Sequence, residues 1–349
     1  MKILIYSRFY PSVGGIETAA VILATEWVRA GHRVTVATDV PLDDKPLPDF
    51  SFPVIHQPGL AELFFLVPNH DVFVHFAIQL KVIAPALFWP SKFIATHHHF
   101  YGIDRTGKRN WRERFKVRIA RSSVNIAVSE AVAAEVGSPC YVIPSPYNHS
   151  AYQQSNYGVR RGDLVFVGRL VSDKGVDVAL RALALLKPVG LKPHLTIIGD
   201  GPERNALAAL VGKLGISDQV TFTGIIPATE VANILNQHKI LLVPSLWKEP
   251  FGLVAVEGIA CGCVVIGSSG GGLPEAIGPC GVVFPNGDVA MLAQQIRHLL
   301  MDSAKLKELQ NAGASHVAKH DPVAVAQAFI RVFEAAVTGK LKFQPVKNV

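Results

Sequence analysis

Glu249 and Glu257 stand eight residues apart in the segment PSLWKEPFGLVAVEGIACG, and their surroundings give the two acids different chemistry. Glu249 follows an apolar strand-like run, KILLVPS, whereas Glu257 lies where Leu253, Val256 and Ala260 recur at helical spacing. Phe251, Gly252 and Leu253 open that predicted helix, whose unpaired amides and positive dipole end favour an anion such as a diphosphate. Glu249 precedes the N-terminus and reaches a group beyond the phosphates. Glu257 is expected about two turns in, facing the nearer side. A carboxylate accepts hydrogen bonds and gains nothing electrostatically from phosphate. Both acids therefore suit hydroxyls, which a nucleotide-sugar carries on each side of its diphosphate. The spacing alone favours two solvated acids flanking a helix.

Two cations, Arg169 and Lys174 of GRLVSDKG, follow an apolar run in the middle of the chain. A diphosphate leaving group gains negative charge as its bond to a sugar breaks, and fixed cations there stabilise the transition state more than the ground state. Such a site needs no metal, and the chain has no Asp-x-Asp pair to hold one. Gly14 and Gly15 in SVGGIET precede a helical segment, where the lack of Cβ lets backbone amides approach a phosphate; a plain turn has the same sequence. His97, His98 and His99 end a strand-like run, so alternation turns His98 away from its neighbours and leaves too few ligands on one face for zinc. In IIGDGPERNAL a strand meets Gly-Asp-Gly and then a helix. Asn205 stands near the place of a third glycine, and no complete G-x-G-x-x-G occurs elsewhere, which argues against NAD.

These residues need a scaffold, and 349 residues suffice for two domains of ordinary size. Apolar runs are short, and none reaches the roughly 20 residues that a membrane-spanning helix requires. The opening MKILIYSRFYPS reads as a strand rather than a signal-peptide core, so a cytoplasmic setting is expected. Cys140 and Cys280 are isolated, and Cys261 and Cys263 have no second pair, so all four read as small buried hydrophobes. Strands KILIYS, HRVTVAT, DVFVHFA, KFIATHHH, VNIAVS and CYVIPS alternate with helical segments in the first half. LVFVG, HLTIIG, QVTFTG, KILLVPS, CVVIGS and GVVF do the same in the second, which predicts two parallel α/β sheets. The polar stretch SPYNHSAYQQSNYGVRRGD between them reads as a linker. Between Arg105 and Arg121, the residues Lys108, Arg109, Arg112, Arg114, Lys116 and Arg118 interleave with Trp111, Phe115, Val117 and Ile119. On a helix this is basic almost all round with an aromatic edge, suited to anionic lipid, to an acidic acceptor, or simply to solvent. No nucleic-acid motif accompanies it.

The blocks KILIYSRFYPSVGGIET, FVGRLVSDKGVDVALRAL, IIGDGPERNAL, VTFTGIIP, the two-glutamate segment and GGLPEAI, in that order, resemble the retaining family 4 glycosyltransferases along nearly the whole chain. The resemblance implies an α/β GT-B fold with two Rossmann-like domains facing a deep inter-domain cleft. We expect residues 1–157 to form the acceptor-side domain and 158–321 the donor domain, with 322–349 containing a helix that packs back on the first. By the same resemblance, Arg169 and Lys174 hold the donor diphosphate, and Gly14 and Gly15 lie beside the donor phosphate or the acceptor. Glu257 binds ribose hydroxyls and Glu249 the donor sugar, with the amides of Gly252 and Leu253 beside Phe251 completing the cradle. Main chain around Ile225 holds the base. ATHHH places His98 against the sugar, or His97 if the register shifts by one. The implied activity is metal-independent hexosyl transfer without a cofactor, from UDP-glucose first and GDP-mannose next. The implied acceptor is a saccharide, free or lipid-linked. Partners are therefore the nucleotide-sugar and that acceptor, with no nucleic acid; peripheral contact with an anionic inner membrane face is the reading that the basic segment adds, beside that of a solvated face.

Two other classes fit part of this pattern. A sugar-nucleotide epimerase shares the fold and ligand but has no use for an acceptor groove, and the Glu-x7-Glu text suits it poorly. A non-catalytic sugar-nucleotide binder would not need Arg169, Lys174, Glu249 and Glu257 together.

Overall fold

A computed structural model of the chain describes residues 1–9, 14–42, 49–76, 78–79, 83–102, 111–155 and 160–340. The chain divides into two compact units, Met1–Pro146 with His320–Val349, and Tyr147–Lys319. The first unit runs β1 (Lys2–Tyr6), α1 (Gly15–Arg29), β2 (Arg33–Thr38), β3 (Val54–His56), α2 (Leu60–Leu66), β4 (Val72–Phe76), α3 (Ile83–Phe88), β5 (Phe93–His97), α4 (Trp111–Ala120), β6 (Val124–Ala127), α5 (Glu130–Val136) and β7 (Cys140–Val142). The second runs β8 (Gly162–Val167), α6 (Val176–Leu186), β9 (Leu195–Ile198), α7 (Arg204–Leu214), β10 (Val220–Gly224), α8 (Ala228–Gln237), β11 (His238–Val243), α9 (Leu253–Ala260), β12 (Val264–Ser268), α10 (Leu273–Ile277), β13 (Gly281–Phe284), α11 (Val289–Met301), α12 (Ser303–Asn311) and α13 (Gly313–Val317). Helix α14 (Pro322–Val337) returns to the first unit.

Both sheets are parallel, with strand orders β3-β2-β1-β4-β5-β6-β7 and β10-β9-β8-β11-β12-β13. Strands covered on both faces must be apolar throughout, which is why β4 and β12 are buried along their whole lengths. In each sheet the order reverses once, between β1 and β4 and between β8 and β11. Loops leaving the carboxyl ends of strands diverge at such a reversal and open a crevice for a ligand. The loop after β8 carries Arg169 and Lys174, and the loop after β11 carries Glu249, so the second unit brings these candidates to its own switch point.

Strand β3 is not among the strands read from the sequence. It has three half-buried residues, and its register on β2 places Val54 beside Val36. The linker also differs from expectation, since the second unit begins at Tyr147 rather than 158. Tyr152 is buried, the Ser155 amide donates to Asn236 Oδ1 at 2.8 Å, and Asn236 Nδ2 donates to the Gln153 carbonyl at 2.9 Å. These bonds fasten the polar stretch to α8, a tertiary pairing that local composition does not reveal. Helix α14 is held on α1 by Trp27, whose Nε1 donates to the Ala326 carbonyl at 3.2 Å and whose ring meets Phe333 edge-on at 5.1 Å. Among the described residues, no helix is long and apolar enough to cross a membrane.

Candidate functional site

In the second unit, Lys174 ends a short 3-10 turn after β8 and reaches across to the loop after β11. Its Nζ lies 2.6 Å from Glu249 Oε1, and Ser245 Oγ donates to the same oxygen at 2.7 Å. The two loops are also joined through main chain, because the Leu246 amide donates to the Asp173 carbonyl at 2.9 Å. Asn286 ties the arrangement from a third side. Its Oδ1 accepts from the Gly270 amide at 2.9 Å, and its Nδ2 donates to the Ser245 carbonyl at 3.0 Å.

The backbone of Glu249 is fixed by the GGLPEAI block. It forms a parallel bridge with Gly271, and the Gly272 amide donates to the Glu249 carbonyl at 2.8 Å. Gly271 has φ +79°, and a Cβ there would collide with the Glu249 carbonyl oxygen, so both the conformation and the close approach require glycine. The block therefore positions Glu249 rather than contributing chemistry of its own.

Helix α9 starts at Leu253 behind Gly252, whose φ of +102° forms a left-handed cap with no capping side chain. The Ala255 amide already donates to the Gly252 carbonyl at 2.9 Å, which leaves the Leu253 and Val254 amides at the helix start for an external acceptor. Phe251 is buried just before it. Because the helix begins only at Leu253, Glu257 lies about one turn in rather than two. The Glu257 carboxyl is half-buried and makes no hydrogen bond or ion pair among the described residues. Burial disfavours its charged form and pushes its pKa up to about 8. Tyr152, on the stretch that docks on this unit, is in turn raised by its own burial and by the nearby Glu257 and Cys261.

Arg169 is exposed two residues beyond β8, and no hydrogen bond or ion pair engages its side chain among the described residues. It stands on the same loop as Lys174 but takes no part in the Lys174–Glu249 pair. Ile225 projects from the loop after β10 and is 82 % exposed.

The remaining candidates belong to the first unit. Gly14 caps α1 in an extended conformation, so its φ does not demand glycine. A Cβ at Gly14 would run into the Glu17 carboxylate, whereas one at Gly15 would meet nothing. The positive end of α1 thus already faces an acid, which weakens it as a phosphate seat. Strand β5 ends at His97, not at His99. His97 is fully buried, with Nδ1 bonded to the Tyr101 hydroxyl and Nε2 2.9 Å from Asn125 Oδ1. Both nitrogens are occupied, which removes His97 as the fallback ligand. His98 turns the other way, as alternation predicts. It is half-buried and stacked on Phe76 at 5.2 Å, with Nε2 3.0 Å from Thr96 Oγ1. Burial, helped by His99 and His97, lowers its pKa to about 3, so it presents a neutral imidazole.

In the basic segment, Arg105, Lys108 and Arg109 lie outside the described residues. On α4, Trp111, Arg114, Phe115 and Arg118 are exposed, with Arg121 just beyond, and their spacing puts them on one helix face. Val117, Ile119 and Ala120 form the buried side. Lys116 does not join the exposed stripe; its Nζ pairs with Glu113 Oε1 at 2.9 Å, and both side chains are largely covered. The helix is therefore not basic all round: a stripe of arginines and aromatics faces outward.

Ser245, Asn286, Gly271 and Tyr152 were not among the residues singled out from sequence. Ser245 reaches Glu249 across 4 positions and Asn286 reaches Ser245 across 41, and no spacing rule in the sequence announces such pairs.

Comparison with known proteins adds an independent line. The family described as "Glycosyltransferase Family 4" matches residues 13–150, and "Glycosyl transferases group 1" matches residues 153–316. A glycogen synthase of Mycobacterium tuberculosis is 35 % identical over 186 residues, which cover 52 % of this chain and 45 % of that protein. A 2-deoxystreptamine glucosyltransferase of Streptomyces kanamyceticus is 34 % identical over 156 residues, covering 44 % of this chain and 40 % of that protein. The matches thus span less than half the length of these relatives. Among solved structures, Anabaena HepE in complex with UDP and glucose aligns over 96 % of this chain and 100 % of that one, with TM-score 0.77 and 19 % identity. At that identity the likeness is one of fold, and the fold is GT-B.

Proposed function

We propose that the chain, which belongs to the family 4 glycosyltransferases, transfers a hexose from a nucleoside diphosphate sugar to an acceptor hydroxyl with retention and without a metal. The observation that carries this reading is the Lys174–Glu249 pair at the β8/β11 reversal, followed by α9, where the carboxyl of Glu257 lies one turn in with no hydrogen-bond or ion-pair partner among the described residues. In the proposed assignment, Arg169, Lys174 and the first amides of α9 take the diphosphate, Glu249 the sugar hydroxyls and Glu257 the ribose hydroxyls. As the bond from the anomeric carbon to the diphosphate oxygen breaks, a bond forms to the acceptor oxygen on the same face. The acceptor proton passes to the departing phosphate oxygen. The cations meet the charge that develops there, which is the interaction that accelerates the step.

Glucose is the first choice of sugar, in line with the glucosyltransferase name of the Streptomyces relative and with the glucose and UDP bound to HepE. The acceptor we favour is a saccharide, free or lipid-linked, and no cofactor enters the scheme. The outward stripe of Trp111, Arg114, Phe115 and Arg118 on α4 supports peripheral contact with an anionic membrane surface. Release of free nucleotide from a panel of UDP-, GDP- and ADP-sugars tests the reading. UDP-glucose should be consumed fastest, and a chain that turns over none of them is not a transferase of this kind.

A further inference from the structure

We infer that Arg204 reads the nucleotide base and selects one that presents a carbonyl oxygen, uracil or guanine, over adenine. The inference rests on the donor assignment above and concerns the opposite end of the same ligand. The loops after β8, β9 and β10 are laced together at the carboxyl edge of the second sheet. Leu170 N donates to the Asp200 carbonyl at 2.9 Å, Glu203 N to the Leu170 carbonyl at 3.1 Å, and Gly199 N to the Gly224 carbonyl at 2.9 Å. A ligand with its diphosphate at Arg169 therefore has the start of α7 and the Gly224–Ile225 turn as its next neighbours along the sheet edge.

Arg204 opens α7 at this place. Its guanidinium carbon lies over the Phe222 ring, 5.7 Å from the centroid, and its Nη1 would stand 3.7 Å from a Cβ on Gly224. The ring fixes the plane of the guanidinium beside the turn and adds a cation–π attraction. Among the described residues the guanidinium has no hydrogen bond or ion pair, although it is half-buried. A partly desolvated cation with donors only, held rigidly and left unpaired, is suited to a ligand acceptor. Uracil and guanine offer a carbonyl oxygen to such a donor, whereas adenine presents an amino group at the corresponding position. Main-chain groups at the exposed Ile225 can sense only shape, so Arg204 is the side chain at this turn suited to telling an oxo base from an amino base.

Calorimetric titration of UDP, GDP, ADP and inorganic pyrophosphate into the wild-type chain and Arg204→Met tests this. Methionine keeps the length and the packing on Phe222 but removes every donor, and matching thermal midpoints check the fold. The wild type should prefer UDP or GDP over ADP. Arg204→Met should lose about tenfold in affinity for the preferred nucleotide, with ADP and pyrophosphate unchanged. Arg204→Lys should recover part of the loss. An unchanged preference in Arg204→Met overturns the inference, as does an equal loss for all four ligands. Nucleotide binding without any base preference in the wild type also overturns it while leaving the donor assignment intact. Failure of every nucleotide and of pyrophosphate to bind the wild type defeats both.

Discussion

Lys174 and Glu249, 75 positions apart in the chain, meet at 2.6 Å where the strand order of the second sheet reverses. The pair gives each residue a neighbour that holds its geometry before a donor arrives. Ser245 strengthens this by donating to the same carboxylate oxygen. A diphosphate entering beside Lys174 has to share the ammonium with Glu249, which couples seating of the phosphate to placement of the carboxylate at the sugar.

That coupling predicts non-additive mutants. Lys174→Ala and Glu249→Gln should each lower turnover by about a hundredfold, and the double variant should fall short of the product of the two losses. Donor consumption rates for the four proteins decide it. Strict multiplicativity would mean that the two side chains act independently.

The two glutamates should separate by phenotype. Among the described residues, Glu257 has no hydrogen-bond or ion-pair partner for its carboxyl, whereas Glu249 has two. Glu257→Gln should chiefly weaken binding of UDP itself, and Glu249→Gln should chiefly lower turnover with UDP affinity retained. UDP titrations of both variants check this, and equal loss of affinity contradicts the division.

Glu257 also predicts a pH dependence. Burial raises its pKa from 4.5 to about 8, so between those values the folded chain holds a proton that the unfolded chain has released. The stabilisation from this carboxyl is fully present below about pH 4.5 and is lost as pH rises through about 8. Thermal midpoints measured from pH 5 to 8.5 without nucleotide should fall more steeply for the wild type than for Glu257→Gln. Parallel curves would remove the buried-acid assignment.

Gly271→Ala places a Cβ against the Glu249 carbonyl at φ +79°. We expect a loss of about 1–3 kcal/mol in stability from strain at this backbone position, with turnover reduced as Glu249 shifts. Urea midpoints and donor consumption measure the two effects. An alanine variant with wild-type values on both would show that the bridge does not position the acid.

Cosedimentation with anionic liposomes tests the outward face of α4. Each basic residue near such a surface contributes about 1 kcal/mol, so the wild type should pellet at low salt and be released at high salt. Arg112→Gln, Arg114→Gln and Arg118→Gln combined should abolish pelleting while sparing donor consumption. Wild-type protein that stays in the supernatant at low salt has no such contact.

Much of this arrangement was legible because parallel strands buried on both faces are nearly pure apolar runs, and twelve of them stand out between glycines and charges. Strand β3 escaped because three half-buried residues carry no period. The glutamates and cations were visible as types at fixed spacing near strand ends. What held them was not, since Ser245, Asn286 and Gly271 act through contacts set by loops folding together. Lys116 misled for the same reason: composition reported its charge, while only packing shows that Glu113 takes it up.

The most direct test of the central claim is proton NMR of the wild-type chain with UDP-glucose in EDTA, following the anomeric signals as the nucleotide is released to water or to an added saccharide. Retaining, metal-independent transfer predicts that UDP appears at an undiminished rate and that the first new anomeric signal has the α configuration of the donor. A β-configured first product, or activity that EDTA abolishes and manganese or magnesium restores, would contradict it.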